Sequence, residues 1–225
     1  CEHRDLAYVA TDRKRVSLDS RLSIAHALDD VSPWAVINAA GWVRVDDAEH
    51  EPDGCMRDNR DGSLALADEC RRRDIPYVTF SSDLVFDGRI DRDYRESDLP
   101  APLNIYGHSK ADADRALLAS NAKVLVIRTA AFFASSDPYN FAAQLAGALT
   151  ADKQFAAADD VTVSPTYVPD LDPSLVVPVP SARMGWVARR PRRAAMTSER
   201  GLLLPSLDHA IDRFAEAHTL RRRRR

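Results

Sequence analysis

A phenol, an ammonium and a hydroxyl are the side chains of this sequence best suited to chemistry. Tyr106 and Lys110 lie four residues apart in "PLNIYGHSKADADRALL" (102–118), which reads as a turn followed by a helix, so both share one helix face. Ser82 closes the apolar segment "YVTFSS". Free tyrosine has a pKa near ~10, and a nearby ammonium favours the phenolate and lowers that pKa. Such a trio can protonate a carbonyl oxygen or deprotonate an alcohol.

A redox reaction at these groups needs a hydride-carrying cofactor, because no side chain supplies a hydride. The Tyr-x-x-x-Lys spacing alone is weak evidence, since a half-buried tyrosine and a surface lysine share it in many helices. Two strand-end motifs strengthen the interpretation: "NAAG" (38–41) ends one predicted strand and "SSDLVFDG" (81–88) ends the next. Ligands of open parallel sheets bind at the carboxyl ends of the strands, so we expect these groups to share one crevice.

The elements that must position these residues alternate along the first 130 residues. Near-continuous apolar segments predict strands covered by helices on both faces, and amphipathic segments predict helices. The predicted strands are residues 6–11, 34–40, 77–82 and 123–130; the predicted helices are residues 21–31, a helix closing with residues 63–73, and one beginning at the YGHSK segment. This alternation predicts the α/β class, with a doubly wound parallel sheet.

The last quarter of the chain loses this pattern after residue 171. Residues 172–225 carry 12 arginines against five acidic residues, and only residues 206–220 recover a helical period. The terminal "LRRRRR" lacks interleaved aromatic residues, so we expect a solvated tail and no nucleic-acid partner.

Composition and cysteine usage bound the class of protein. No apolar run reaches 18 residues and no signal peptide opens the chain, so we expect no membrane partner. The three cysteines have no metal-ligand spacing, and their odd number fits a reducing cytoplasm. The acidic cluster at residues 46–49 is interpreted as a helix entry, so no metal site is expected. Asn59 is expected to be a structural hydrogen-bonding residue at the end of an element.

Six segments together resemble the extended short-chain dehydrogenase/reductase superfamily, and within it the dTDP-4-dehydrorhamnose reductases and their sugar-nucleotide-binding (RmlD-like) relatives. They are "VINAAGWVRVDDAEHEP" (36–52), "FSSDLVFDG" (80–88), "YRESDLPAPLNIYGHSK" (94–110), "VIRTAAFF" (126–133), "YNF" (139–141) and "VSPTYVPDL" (163–171). The resemblance covers roughly residues 5–171. It implies a Rossmann-type nucleotide-binding domain over residues 1–171 and a small or remnant substrate lobe over residues 172–225.

The resemblance also implies roles for individual residues. Ser82, Tyr106 and Lys110 match the catalytic triad of the family. The implied cofactor-binding residues are Asp12, Arg13, Asn38, Ala39, Ala40, Gly41, Tyr106 and Lys110. The implied substrate-binding residues are Ser82, Asp83, Phe132 and Asn140.

The cofactor implied is NADPH or NADH. Asp12 suits the free 2′-hydroxyl of NADH, whereas the basic residues 13–15 suit the 2′-phosphate of NADPH. A reductase favours NADPH.

This sequence departs from the family pattern at two places. The family begins with a strand and a glycine-rich turn that binds the pyrophosphate, and no such turn occurs here. The resemblance therefore implies an N-terminally truncated domain, with roughly 25 residues absent ahead of Cys1. Ala131 stands where the family has an aromatic residue that contacts the substrate.

The function implied is NAD(P)H-dependent reduction of a nucleotide-linked 4-keto-6-deoxy sugar. Leu84 stands where the related 4,6-dehydratases have a glutamate, which argues against dehydration. Two alternatives stay open: a sugar-nucleotide epimerase, and a non-catalytic sugar-nucleotide-binding or regulatory module. The expected partner is a nucleotide-sugar, and a homodimer or a fusion to another enzyme module also stays open.

Overall fold

The computed structural model describes residues 7–120, 122–130, 140–163, 176–179, 187–191 and 193–197, together with positions 199, 212 and 216. The chain divides into two compact units. The first contains residues 1–82 and 104–128, and the second contains residues 83–103 and 129–225. No helix in the described ranges is long and apolar enough to cross a membrane.

A three-stranded sheet and its helices form the first unit. The strands are β1 (Val36–Asn38), β2 (Tyr77–Ser82) and β3 (Val124–Thr129), in the order β1-β2-β3. β1 pairs in parallel with β2, with Val36 opposite Tyr77. The helices are α1 (Arg21–Val31), α2 (Pro52–Met56), α3 (Gly62–Arg72) and α4 (Ile105–Ala119). A π-helical turn (Arg57–Asp61) joins α2 to α3, so the chain runs as one helix from Pro52 to Arg72.

One apolar core joins these elements. Its buried members come from α1, α3, β2 and α4: Ile24, Leu28, Leu66, Ala67, Cys70, Tyr77 and Leu117. The alternation of buried residues along β2 turns Tyr77 and Thr79 towards this core, as the period of a strand requires. The core therefore fixes β2 against α4, and both carry predicted site residues.

The sequence predicted most of these elements. The predicted helix 21–31 and strand 77–82 match α1 and β2 residue for residue. β1 and β3 are shorter than predicted. The strand predicted at residues 6–11 is wrong for its described part, because residues 7–11 are exposed and outside any strand. An apolar segment becomes a strand only where a neighbour accepts its backbone hydrogen bonds.

The second unit contains a segment that was not predicted as regular structure. A short 3-10 turn (Asp83–Val85) opens it, followed later by α5 (Phe141–Thr150), β4 (Phe155–Ala158) and β5 (Val176–Val179). β4 and β5 pair in parallel. Of the predicted helix 206–220 only Asp212 and Glu216 are described, and both are helical. The expected domain boundary at residue 171 and the arginine-rich tail lie outside the described residues and stay predictions.

Candidate active site

The beginning of α4 is fixed by two side chains that accept backbone hydrogen bonds. Asn104 Oδ1 accepts the amide of Gly107 at 2.6 Å, which is the usual arrangement of an N-cap. Glu49 Oε1 accepts the amide of Ile105 at 2.9 Å. These contacts set the register of the helix, so Tyr106 lies in its first turn and Lys110 one turn later. Glu49 therefore caps a helix, and no group of metal-ligating side chains occurs among the described residues.

Lys110 connects this helix to the end of β2. Its Nζ donates to the carbonyl oxygen of Phe80 at 3.2 Å and lies 5.9 Å from the centroid of the Tyr106 ring. Ser82, which is buried, follows Phe80 by two residues on the same strand. Burial lowers the pKa of Lys110, and the negative charges of Asp114 and Cys55 partly oppose that change. The structure thus places an ammonium between the tyrosine and the strand end that carries the serine.

The loop after β1 is shaped by Asn38. The side-chain oxygen of Asn38 accepts the amide of Ala40 at 3.0 Å, and its nitrogen donates to the hydroxyl of Tyr77 at 2.9 Å. Ser63 Oγ is also 2.8 Å from that hydroxyl. Burial raises the pKa of Tyr77, so this phenol stays neutral near physiological pH. Asn38 therefore holds the loop through the amide of Ala40, and the cofactor-binding role of residues 39–41 stays a prediction.

Gly41 brings this loop to Lys110. Its φ is +154°, a conformation that side chains with a Cβ rarely adopt. A Cβ built on Gly41 would lie 2.5 Å from Asn59 Oδ1 and 3.5 Å from Lys110 Nζ. The Asn59 amide and the Lys110 ammonium both lie where a side chain at residue 41 would project, and the 2.5 Å approach to Asn59 leaves no space for one. The predicted cofactor loop and the predicted catalytic lysine are therefore neighbours.

Asn59 links the same loop to α4, a role that sequence reasoning missed. Its Oδ1 accepts the amide of Trp42 at 2.8 Å, and its Nδ2 donates to Ser109 Oγ at 2.9 Å. Ser109 Oγ in turn donates to the carbonyl oxygen of Tyr106 at 2.7 Å. Asn59 does hydrogen-bond, as expected, but it lies inside the π-helical turn and not at the end of an element. Only an asparagine within a helical pattern, shortly before Gly62, signalled it.

Asp12 and Arg13, the residues expected near the adenosine ribose, lie in an exposed turn. Asp12 Oδ1 accepts the amides of Lys14 at 3.0 Å and of Arg15 at 3.1 Å. Arg13 pairs with Asp58, although its side chain stays 77% exposed. The Asp12 carboxylate thus stabilises its own turn, and this turn presents basic side chains to solvent.

The predicted substrate-binding residues fall in the second unit, apart from Ser82. Asp83 is buried and opens the 3-10 turn after β2. Asn140 caps α5, with its Oδ1 accepting the amide of Ala143 at 2.8 Å. Phe132 lies outside the described residues.

Comparison with known proteins identifies the family. The RmlD substrate binding domain matches residues 1–176. The chain belongs to this family. The predicted resemblance is therefore confirmed.

Curated relatives with different names are similar to this chain at comparable sequence identity. A dTDP-4-dehydrorhamnose reductase of Streptomyces griseus is 31% identical over 76% of this chain and 56% of that protein. The methionine adenosyltransferase 2 subunit beta of Pongo abelii is 36% identical over 51% of this chain and 34% of that protein. The chain spans about half the length or less of these relatives.

A solved structure confirms the fold class. The dTDP-4-dehydrorhamnose reductase of Bacillus anthracis, crystallised in complex with NADP, superposes with a TM-score of 0.85 at 22% identity, covering 96% of this chain and 93% of that one. The α/β architecture with a parallel, Rossmann-type sheet is the one that the alternation of strands and helices predicted.

Proposed function

We propose that this chain provides the catalytic site of an NADPH-dependent reductase that acts on a nucleotide-linked 4-keto-6-deoxy sugar, as in dTDP-4-dehydrorhamnose reductases. The observation that carries the proposal is the position of Lys110. Its Nζ donates to β2 at Phe80, lies over the Tyr106 ring and borders the loop at Gly41. The Lys110 ammonium therefore lies next to the strand that carries Ser82, the proton donor Tyr106 and the proposed cofactor loop, which are the three parts that a carbonyl reductase of this kind needs.

The residues of the chain have distinct tasks in this reaction. Bound nicotinamide supplies the hydride for the carbonyl carbon of the sugar. Tyr106 donates its phenolic proton to the carbonyl oxygen, and the Lys110 ammonium stabilises the phenolate that remains. Ser82 donates a hydrogen bond to the same oxygen and so orients the carbonyl. A buried ammonium is effective here because the low local dielectric strengthens its interaction with the phenolate.

The residues present fit a dinucleotide at the loop after β1. Gly41 lets the loop lie close to Asn59 and Lys110, and the backbone at residues 39–41 is the proposed surface for the dinucleotide. Lys110 offers an ammonium at the same place for a ribose hydroxyl. Among the cofactors, NADPH is favoured because the Asp12 carboxylate is engaged by two backbone amides while Arg13 is exposed beside it.

A second candidate is a non-catalytic regulatory module, and the relative that is named as a subunit of methionine adenosyltransferase favours it. The trio Ser82, Tyr106 and Lys110 favours the reductase, because a binding module needs no proton donor beside a buried ammonium. An epimerase would use the same trio. The proposed partner is a nucleotide-sugar and the proposed location is the cytoplasm. A homodimer and a fusion to another enzyme module are the candidate assemblies.

The proposal is tested by following the absorbance of NADPH in the presence of dTDP-4-dehydrorhamnose. We expect turnover by the wild-type chain and a loss of about 10²–10⁴-fold in Tyr106→Phe, the usual contribution of a positioned proton donor. Tyr8→Phe is the control for the loss of a phenolic hydroxyl, since Tyr8 is 54% exposed and distant in sequence from Ser82, Tyr106 and Lys110. NADPH binding without turnover in the wild type would favour the regulatory module.

A further inference from the structure

A buried carboxylate lies one helical turn beyond Lys110. Asp114 of α4 is only 3% exposed. Its Oδ2 accepts the hydroxyl of Ser81 at 2.9 Å and Arg128 Nε at 3.1 Å. Ser81 belongs to β2 and Arg128 to β3, so a single carboxylate ties the helix to two strands.

Asp114 lies next to two parts of the proposed reaction centre, Lys110 and the end of β2 that carries Ser82. Asp114 and Lys110 are four residues apart on α4 and share one face. Ser81, which donates to Asp114, directly precedes Ser82 at the end of β2. Asp114, Ser81 and Arg128 therefore form a polar group next to the site, and the proposed reaction itself uses none of the three.

Burial and the neighbouring cations act on the charge of Asp114 in opposite directions. Burial raises the pKa of Asp114, while the Ser81 hydrogen bond and the cations Arg128 and Lys110 oppose that rise. An isolated carboxylate at such depth is unfavourable, whereas one that is paired and hydrogen-bonded is tolerated. The Arg128 ion pair and the Ser81 hydrogen bond thus favour the anionic form of Asp114 next to the lysine.

We propose that Asp114 is a positioning residue of this site, which keeps the Lys110 ammonium charged at the end of β2 and holds in place the strand that carries Ser82. The effect of Asp114 on the charge of Lys110 does not depend on the proposed function, whereas the consequence of that effect for catalysis rests on it.

Among the titratable groups that face Lys110, we expect Asp114 to have the largest effect in raising the pKa of the lysine. They are Tyr106 and Asp114 from its own helix and Cys55 from α2, while Arg128 of β3 lies behind Asp114. Burial raises the pKa of the Cys55 thiol, so that thiol is neutral near pH 7. Of the two groups whose negative charge raises the pKa of Lys110, Asp114 is the one that is ion-paired, with Arg128 at 3.1 Å, so we assign the effect on the lysine to Asp114.

The test is a titration of the lysine side chains by NMR. The chain has four lysines, Lys14, Lys110, Lys123 and Lys153, so labelling lysine with ¹³C at the ε carbon gives four signals. Lys110→Arg assigns the signal of Lys110 by its disappearance. We expect that signal to titrate below the other three, and Asp114→Asn to move its midpoint to lower pH by about one unit or more. Ser81→Ala, which keeps the charge of Asp114, should leave the midpoint in place.

An unchanged Lys110 midpoint in Asp114→Asn would overturn the proposal, as would an equal shift in Ser81→Ala. If Asp114→Asn fails to fold because the ion pair with Arg128 is lost, the double variant Asp114→Asn/Arg128→Gln removes that cation as well. The same downward shift is expected there, since Arg128 is not among the groups whose charge shifts the pKa of Lys110.

The consequence for catalysis is read from the pH profile of kcat. If Lys110 loses its proton at lower pH in Asp114→Asn, the alkaline limb of the kcat profile of that variant moves to lower pH. Asp114→Glu should restore the position of the limb. A fall in kcat with the same profile in Asp114→Asn and Ser81→Ala would indicate a merely structural role and contradict the proposal. Failure of the wild type to reduce the keto-sugar would refute the proposed function and leave the NMR titration as the test of the electrostatic claim.

Discussion

Replacement of Asn59 by alanine should destabilise the first unit measurably. Asn59 makes two short hydrogen bonds, one from the amide of Trp42 at 2.8 Å and one to Ser109 at 2.9 Å. Each buried hydrogen bond contributes about 0.5–1.5 kcal/mol net, and its loss costs more where a buried partner is left unsatisfied. We therefore expect Asn59→Ala to lower the free energy of unfolding by about 1–3 kcal/mol.

Urea-induced unfolding, followed by circular dichroism, measures this change. Asp61→Ala in the same π-helical turn is the control. Asp61 is half-exposed, and within the described part of the chain its carboxylate pairs with the neighbouring Arg60. Its loss should therefore stay within about 0.5 kcal/mol. The reasoning would be refuted if Asn59→Ala were no more destabilising than Asp61→Ala. An unchanged affinity for NADPH in Asn59→Ala would show that the loop does not depend on this link.

Three further predictions concern the loop, the helix and a surface ion pair. Gly41→Ala should abolish NADPH binding in a fluorescence titration, because its Cβ would lie 2.5 Å from Asn59 Oδ1; wild-type affinity would contradict this. Asn104→Ala should lower the free energy of unfolding by about 1 kcal/mol, measured in urea, whereas Asn104→Asp should retain the cap. Arg92 lowers the pKa of Asp98 to about 2, so the stabilisation is complete above the ordinary pKa of 3.8 and is lost as the pH falls through about 2. The urea midpoints of wild type and Asp98→Asn should therefore converge at low pH, and a constant difference would contradict this.

The sequence was sufficient for the elements whose pattern is local. α1 begins at Ser20, whose hydroxyl accepts the amide of Ser23, and buries Ile24 and Leu28 one turn apart. β2 is an apolar segment bounded by turns, which predicts a covered strand. In both cases the residues that determine the element lie within it, so composition and period suffice.

The sequence predictions failed where the structure of a segment depends on a partner that is distant in the chain. Residues 7–11 have the composition of a strand, yet they have no such structure. α5 is rich in alanine and flanked by polar residues, and its cap at Asn140 was taken only as a substrate-binding residue. A cap and a binding residue have the same signature in a single sequence.

The candidate site shows the same division. Tyr106 and Lys110 could be placed on one helix face from their spacing alone, and the structure agrees. The contact of Lys110 with Gly41 could not be predicted, since the two are far apart in the chain and meet only through the fold. For that reason the partners of Asn59, Trp42 and Ser109, were not predicted. Asp114 was passed over, since its partner Arg128 lies on another element.

The most direct test of the central claim is transfer of deuterium from NADPH deuterated at the nicotinamide C4 position to dTDP-4-dehydrorhamnose. Mass spectrometry should find one deuterium at C4 of the reduced sugar with the wild-type chain, and none above background with Tyr106→Phe. Bound NADPH with no labelled sugar from the wild type would contradict it, and so would equal labelling by Tyr106→Phe.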